Sequence, residues 1–95
     1  QAFLKIPQIA EAAAFAVPAK DHGQEDEVMV ALMIIKGSKI EYSKWINKVS
    51  ADLAKFAIPL YLRVMKNFPK TQTGKIIKHA LRTEGITNDT WKNNL

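Results

Sequence analysis

Residues 27–36 read Glu-Val-Met-Val-Ala-Leu-Met-Ile-Ile-Lys, and they restrict the fold more strongly than any other stretch. Side chains alternate across a strand, so Val28, Val30, Leu32 and Ile34 share one face and Met29, Ala31, Met33 and Ile35 the other. Both faces are apolar. A strand with no polar face has to be covered above and below, which makes this one a central strand of a small α/β or α+β domain. Lys36-Gly37-Ser38-Lys39 closes it.

The flanking segments supply the layers. Residues 9–17 are Ala-rich and end Phe15-Ala16-Val17-Pro18, a short apolar run that reads as a strand. Residues 18–27 are polar and punctuated by Gly23, and so form an exposed loop to the next strand. From Tyr42 the period becomes helical. Tyr42, Trp45, Ile46, Val49, Leu53 and Phe56 make one apolar stripe, Lys44, Lys48 and Asp52 decorate the other side, and Pro59 ends the helix at or before Ile58. The aromatic members of that stripe are core residues. Residues 60–65 alternate as a strand, with Leu60, Leu62 and Val64 on one face and Tyr61, Arg63 and Met65 on the other. A helix after Gly74 runs to about Glu84 with Ile76, Ile77, Ala80 and Leu81 inward, and Gly85 stops it. The tail holds one more turn begun by Thr87 or Asn88, with Trp91 docking back. At 95 residues, 47% of them apolar, the chain supports one domain with a modest core and not two.

Between the last strand and the last helix lies Pro69-Lys70-Thr71-Gln72-Thr73-Gly74-Lys75. Pro69 fixes its own φ and biases Phe68 toward extended backbone, Thr71 and Thr73 offer hydroxyls, and Gly74 turns without a Cβ penalty. The stretch reads as a loop that delivers Lys75 where the helix begins. Lys66, Lys70, Lys75, Lys78 and Arg82 fall within residues 66–82 with no carboxylate among them, so the segment suits a phosphate. On a helical period, Lys75, Lys78 and Arg82 share the face opposite the apolar set. A P-loop is rejected by spacing. The glycine it needs five positions before Gly74 is Pro69, and the Ser or Thr after its lysine is Ile76.

The net charge of +5 is unevenly placed: Lys5, Lys20 and Lys36 oppose Glu11, Asp21, Glu25, Asp26 and Glu27, which leaves residues 1–36 at −2 and the remainder at +7. That asymmetry suits an anionic partner on the C-terminal half. The absence of cysteine removes disulfides, thiolate metal sites and thiol nucleophiles, and fits a reducing compartment. His22 and His79 are far apart with no ligand spacing, so no metal site is expected. With no apolar run of membrane length and no secretory signal, a soluble cytoplasmic protein is expected, without a transmembrane segment. Gln1-Ala2-Phe3-Leu4-Lys5-Ile6 looks like the tail of a helix halted at Pro7 with no cap before it, so the chain is expected to be a fragment.

Four anchors resemble a known family: Ile9-Ala10-Glu11-Ala12-Ala13 leading to Ala16-Val17-Pro18, residues 27–35, Leu53-Ala54-Lys55-Phe56-Ala57-Ile58-Pro59, and Pro69 through Lys75 to Ile76. Together they resemble the adenylate-forming enzymes, which include acyl-CoA synthetases, peptide-synthetase adenylation domains and luciferases. The resemblance implies that residues 1–95 are the small C-terminal lid domain, a three-stranded sheet with helices against it. The large N-terminal domain of the same chain, which carries the ATP phosphate loop, the acyl pocket and most adenine contacts, would be the missing partner, along with the hinge and the glycine-bearing loop after it.

The same resemblance makes Lys75 the catalytic lysine that reaches a carboxylic acid substrate and the phosphates of ATP. Thr71, Thr73 and Gly74 would shape its loop, and Lys70 would be a weaker phosphate contact. Magnesium would be bound outside these residues. A rotated lid would then present another face to CoA for thioester formation. Ala57 departs from the basic residue often found there, which weakens a CoA contact at that position. Residues 81–91 look like the tail of crotonobetaine/carnitine-CoA ligases, and Asn93-Asn94-Leu95 lacks a peroxisomal signal. Two other readings compete with the ligase. One is a small basic module that grips nucleic-acid phosphates through residues 66–82, although no stacking aromatics or groove-reading motif accompany that charge. The other is an interaction domain that docks through Phe3, Leu4 and Ile6.

Overall fold

The computed structural model describes residues 2–18, 26–54 and 57–93. Four strands, β1 (Ile9–Pro18), β2 (Asp26–Ile34), β3 (Tyr61–Val64) and β4 (Trp91–Lys92), lie side by side in that order. Among the described residues two helices, α1 (Tyr42–Ser50) and α2 (Lys78–Glu84), and a 3₁₀ turn over Ala2–Lys5 accompany the sheet in an α+β domain. The sheet is mixed: β1 and β2 are antiparallel, β2 and β3 parallel, β3 and β4 antiparallel. Parallel neighbours need a crossover, and α1 provides it.

As expected from its two apolar faces, β2 is inner and covered on both sides. Val30 and Leu32 join Phe3, Ile6, Ile9, Trp45, Ile46, Val49 and Leu62 in one core under α1. Met29 and Ala31 join Ala13, Phe15, Val17, Tyr61, Phe68 and Leu81 in a second core under α2. A bulge in β1 lets that strand serve both. Ile9 pairs with Ile34 but Glu11 pairs with Met33, so Ala10 is an extra residue, and the parity of every later side chain is reversed. Ile9 therefore faces α1, whereas Ala13, Phe15 and Val17 face α2.

Four sequence expectations need correction. The sheet has four strands and not three, because Trp91 stacks on Tyr42 with ring centroids 5.5 Å apart and the Asn93 amide donates to the Leu60 carbonyl at 2.7 Å, which pulls the tail against β3. A turn does precede it, with the Thr90 amide bonded to the Thr87 carbonyl at 3.1 Å. Helix α1 ends at Ser50 and not near Ile58. The Ser50 hydroxyl donates back to the Ile46 carbonyl at 2.6 Å, and the Asp52 amide bonds Val49, three residues back, so the last turn tightens and stops. Leu53 still packs on the first core from outside the helix, and Phe56 lies outside the described residues. Leu60 precedes β3 and packs on the second core, opposite Leu62 and Val64. Phe3 and Ile6 are internal core and only Leu4 of that trio is exposed, so the three do not form the docking surface expected of them.

The loop expected over residues 18–27 has its two ends in β1 and β2, and residues 19–25 lie outside the described residues. Among the described residues no helix is long and apolar enough to cross a membrane. Arg63 of β3 pairs with Glu84 at the end of α2, and its Nε lies 3.0 Å from Asp89 Oδ1, without hydrogen-bond alignment. This half-buried cation thus ties the sheet, α2 and the tail together.

Candidate active site: the lysine hairpin

The lysine stretch leaves the second core through Phe68, which is buried, and returns through Ile76, which packs on the same core. Between them the chain forms a miniature hairpin. Lys70 and Ile76 make an isolated antiparallel bridge, the Ile77 amide donates to the Pro69 carbonyl at 2.8 Å, and the Thr71 amide donates to the Lys75 carbonyl at 2.8 Å. The Gly74 amide closes a tight turn on the Thr71 carbonyl at 3.0 Å. A three-residue loop with this pair of bonds needs a positive φ at its last position, and Gly74 supplies it at +86°. The Thr71 hydroxyl accepts from the Lys75 amide at 3.1 Å and shares a hydrogen bond with the Thr73 hydroxyl at 3.0 Å. Thr71, Thr73 and Gly74 thus shape the loop around Lys75.

Lys75 is not the first residue of a helix, as its spacing suggested. Residues 75–77 are still in the hairpin arm, and α2 begins at Lys78. The helical period through Ile76, Ile77, Ala80 and Leu81 is satisfied by an extended residue followed by a helix, so sequence spacing alone did not separate the two. Lys75, Lys78 and Arg82 consequently do not share one helical face. The hairpin holds Lys75 in an exposed position, and its ammonium has no ion-pair partner among the described residues.

Lys70 behaves differently. Its Nζ lies 2.8 Å from Glu11 Oε1 and 3.0 Å from Glu11 Oε2, so both carboxylate oxygens of a β1 residue receive it. The run from 66 to 82 has no carboxylate of its own, but the sheet brings one to it. Sequence reasoning assigned Glu11 no role at the site. It is 59 residues from Lys70, and the bulge at Ala10 that turns it toward the hairpin has no residue signature.

An open groove of about 540 Å³ lies beyond the carboxyl ends of β2 and β3, lined by Ile34, Ile35, Ile40, Val64 and Met65 with Lys36 and Lys66 at its rim. Two smaller cavities, of about 280 and 100 Å³, lie beside Trp91 and beside Phe3. Residues 70–75 line none of the three. Among the described residues no group of three His, Asp or Glu side chains could hold a metal ion. Chemically, the arrangement offers an exposed ammonium on a backbone held by hydrogen bonds.

A family model described as the AMP-binding enzyme C-terminal domain matches residues 1–75, a match that ends on Lys75 itself. The chain belongs to this family. As an AMP-binding enzyme C-terminal domain it is 38% identical over 78 residues to an oxalate–CoA ligase of Saccharomyces cerevisiae, covering 82% of this chain and 14% of that protein. It is 37% identical over 101 residues to an acetyl-coenzyme A synthetase of Laribacter hongkongensis, covering 94% of this chain and 15% of the relative. In three dimensions it superimposes on apo MatB from Rhodopseudomonas palustris with a TM-score of 0.80 and 26% identity, over 87% of this chain and 16% of that one. This C-terminal domain thus spans about 15% of the length of the relatives it matches.

Proposed function

We propose that residues 1–95 are the C-terminal lid of an ATP-dependent acid–CoA ligase, with Lys75 as its catalytic residue. The observation that carries this reading is the hairpin, which fixes its own backbone and leaves the Lys75 ammonium exposed and unpaired among the described residues. In the first half-reaction a carboxylate oxygen attacks the α-phosphorus of ATP, the bond to the β-phosphate breaks, and pyrophosphate leaves. Two anions must approach each other. An ammonium between them offsets the repulsion and stabilises the charge that builds on the transferring phosphoryl group. In the second half-reaction the sulfur of CoA attacks the acyl carbon and AMP leaves, with the lid rotated and Lys75 withdrawn.

ATP, the acid and the accompanying magnesium are held in this proposal by a larger preceding domain of the same protein. That assignment is supported by the small share of each relative that the chain covers. The acyl pocket belongs to that domain too, in keeping with the variety of acids in the names of the relatives. Within the family we place the chain with crotonobetaine/carnitine-CoA-type ligases on residues 81–91 alone, and in the cytoplasm on its lack of cysteine. The nucleic-acid reading loses support from the pairing of Lys70 with Glu11, which removes one of five cations from the basic run.

The test is pyrophosphate exchange into ATP with a panel of carboxylic acids, in the full-length protein and its Lys75→Ala variant. Exchange that depends on one acid and vanishes in the variant is the expected result. Full exchange in the variant would remove Lys75 from the chemistry.

A further inference from the structure

The mechanism above uses Lys75 and leaves unexplained why a half-buried carboxylate faces its loop. Glu11 points that way only because of the extra residue Ala10 in β1, since a strand of regular register from Ile9 would turn it toward α1. Bulges of this kind re-aim side chains at the cost of a ladder position, and here the re-aimed side chain takes both oxygens to Lys70 Nζ at 2.8 and 3.0 Å. Lys70 is the residue that bridges Ile76, so the ion pair clamps the first arm of the hairpin, one residue before Thr71. Thr71 in turn makes two contacts to Lys75 of the second arm, through its amide and its hydroxyl, while its carbonyl closes the turn on the Gly74 amide. A continuous set of contacts therefore runs from β1 through Glu11, Lys70 and Thr71 to Lys75.

We infer that Glu11 is a positioning residue that acts through Lys70 to hold the hairpin in the orientation from which Lys75 reaches its anion. The inference rests on the proposed role of Lys75. It also changes the role of Lys70. With both carboxylate oxygens on its ammonium, Lys70 is an anchor and not a phosphate ligand, and its charge is already neutralised. The side chains of the pair are 34% and 35% exposed, so solvent screens the pair only in part.

The experiment is a double-mutant cycle of Glu11→Gln and Lys70→Met in the full-length protein, with two readouts. In the first, hydrogen–deuterium exchange of the peptide spanning residues 70–77 should quicken about three- to tenfold in each variant, while the midpoint of thermal unfolding stays within a few degrees. In the second, adenylation kcat should fall by a similar factor with KM for ATP unchanged, and the double variant should be no worse than the worse single one. Unchanged exchange in Glu11→Gln would overturn the clamp whatever the activity. A raised KM for ATP in Lys70→Met alone, with Glu11→Gln at wild-type rate, would make Lys70 a phosphate ligand and overturn the inference. Absence of pyrophosphate exchange in the unmutated protein with every acid tested would count against the ligase reading, and the peptide exchange would still decide the clamp.

Discussion

Two glycines with the same backbone strain separate folding from chemistry. Gly74 and Gly37 have φ of +86° and +88°, and a Cβ added at either would meet nothing within 4 Å. Alanine therefore costs only the left-handed backbone penalty, about 1 kcal/mol at each site. Urea denaturation should show that similar loss for Gly74→Ala and Gly37→Ala. Only the first should lower the rate of adenylation, because Gly74 closes the turn under Lys75 whereas Gly37 follows β2 at the far groove. An equal effect on rate in both would mean that activity follows stability and not hairpin geometry. Lys75→Ala should act without any stability cost, since its exposed ammonium has no ion-pair partner among the described residues. Adenylate formation should fall by about 10² to 10³, the usual loss for one transition-state donor. Thioester formation from supplied adenylate should change far less, and an equal fall in both steps would contradict withdrawal of Lys75 after the first.

The contact between β3, α2 and the tail carries a pH signature. The Asp89 carboxyl is held below its ordinary value of 3.8, first by the Thr87 hydroxyl that donates to it and then by the nearby Arg63 guanidinium, against an opposing push from desolvation. A carboxyl with a depressed folded-state pKa stabilises the fold above its unfolded value and loses that contribution as pH falls through the folded value. Thermal unfolding should therefore show wild type above Asp89→Asn at neutral pH, with the two curves converging once the pH falls below 3.8. Parallel curves down to the acid limit would show that Asp89 contributes nothing through its charge. This tail was only partly legible in the sequence. Trp91 announced a docking residue, but a two-residue strand such as β4 has no period to detect, and its place is set by a ring stack on Tyr42 across the fold. β2 was legible because both of its faces are apolar. Pro69 to Lys75 was legible as a loop, but its second arm over residues 75–77 fits a helix start because Ile76, Ile77, Ala80 and Leu81 follow a helical period, although a Thr-rich turn ending in Gly74 is a hairpin signal in its own right. The Glu11–Lys70 clamp had no local signature, since it depends on a bulge at an alanine.

The molecule is one sheet with a core on each face, and β2 is the element common to both. Leu32 is fully buried under α1, and Phe68 is buried under α2 at the base of the hairpin. Truncation of Leu32 to Ala costs about 2–5 kcal/mol and of Phe68 about 3–5 kcal/mol. A domain of 95 residues holds roughly 5–14 kcal/mol in all, so either loss removes a large share of it and the two together, about 5–10 kcal/mol, approach the whole. The two residues lie in different cores on opposite faces of the sheet, so their effects should add to within about 0.5 kcal/mol. Each single variant should unfold in one transition, with tryptophan fluorescence, from Trp45 and Trp91 at the first core, and far-ultraviolet circular dichroism coincident, because neither core can open without uncovering β2. Separate transitions for the two probes would show that the cores are independent units. Activity should divide them even so: at temperatures where both singles are folded, Phe68→Ala should lose adenylation along with hairpin order, while Leu32→Ala keeps it. The α1 core would then be the foundation of the fold, and the α2 core the part of it that aims Lys75.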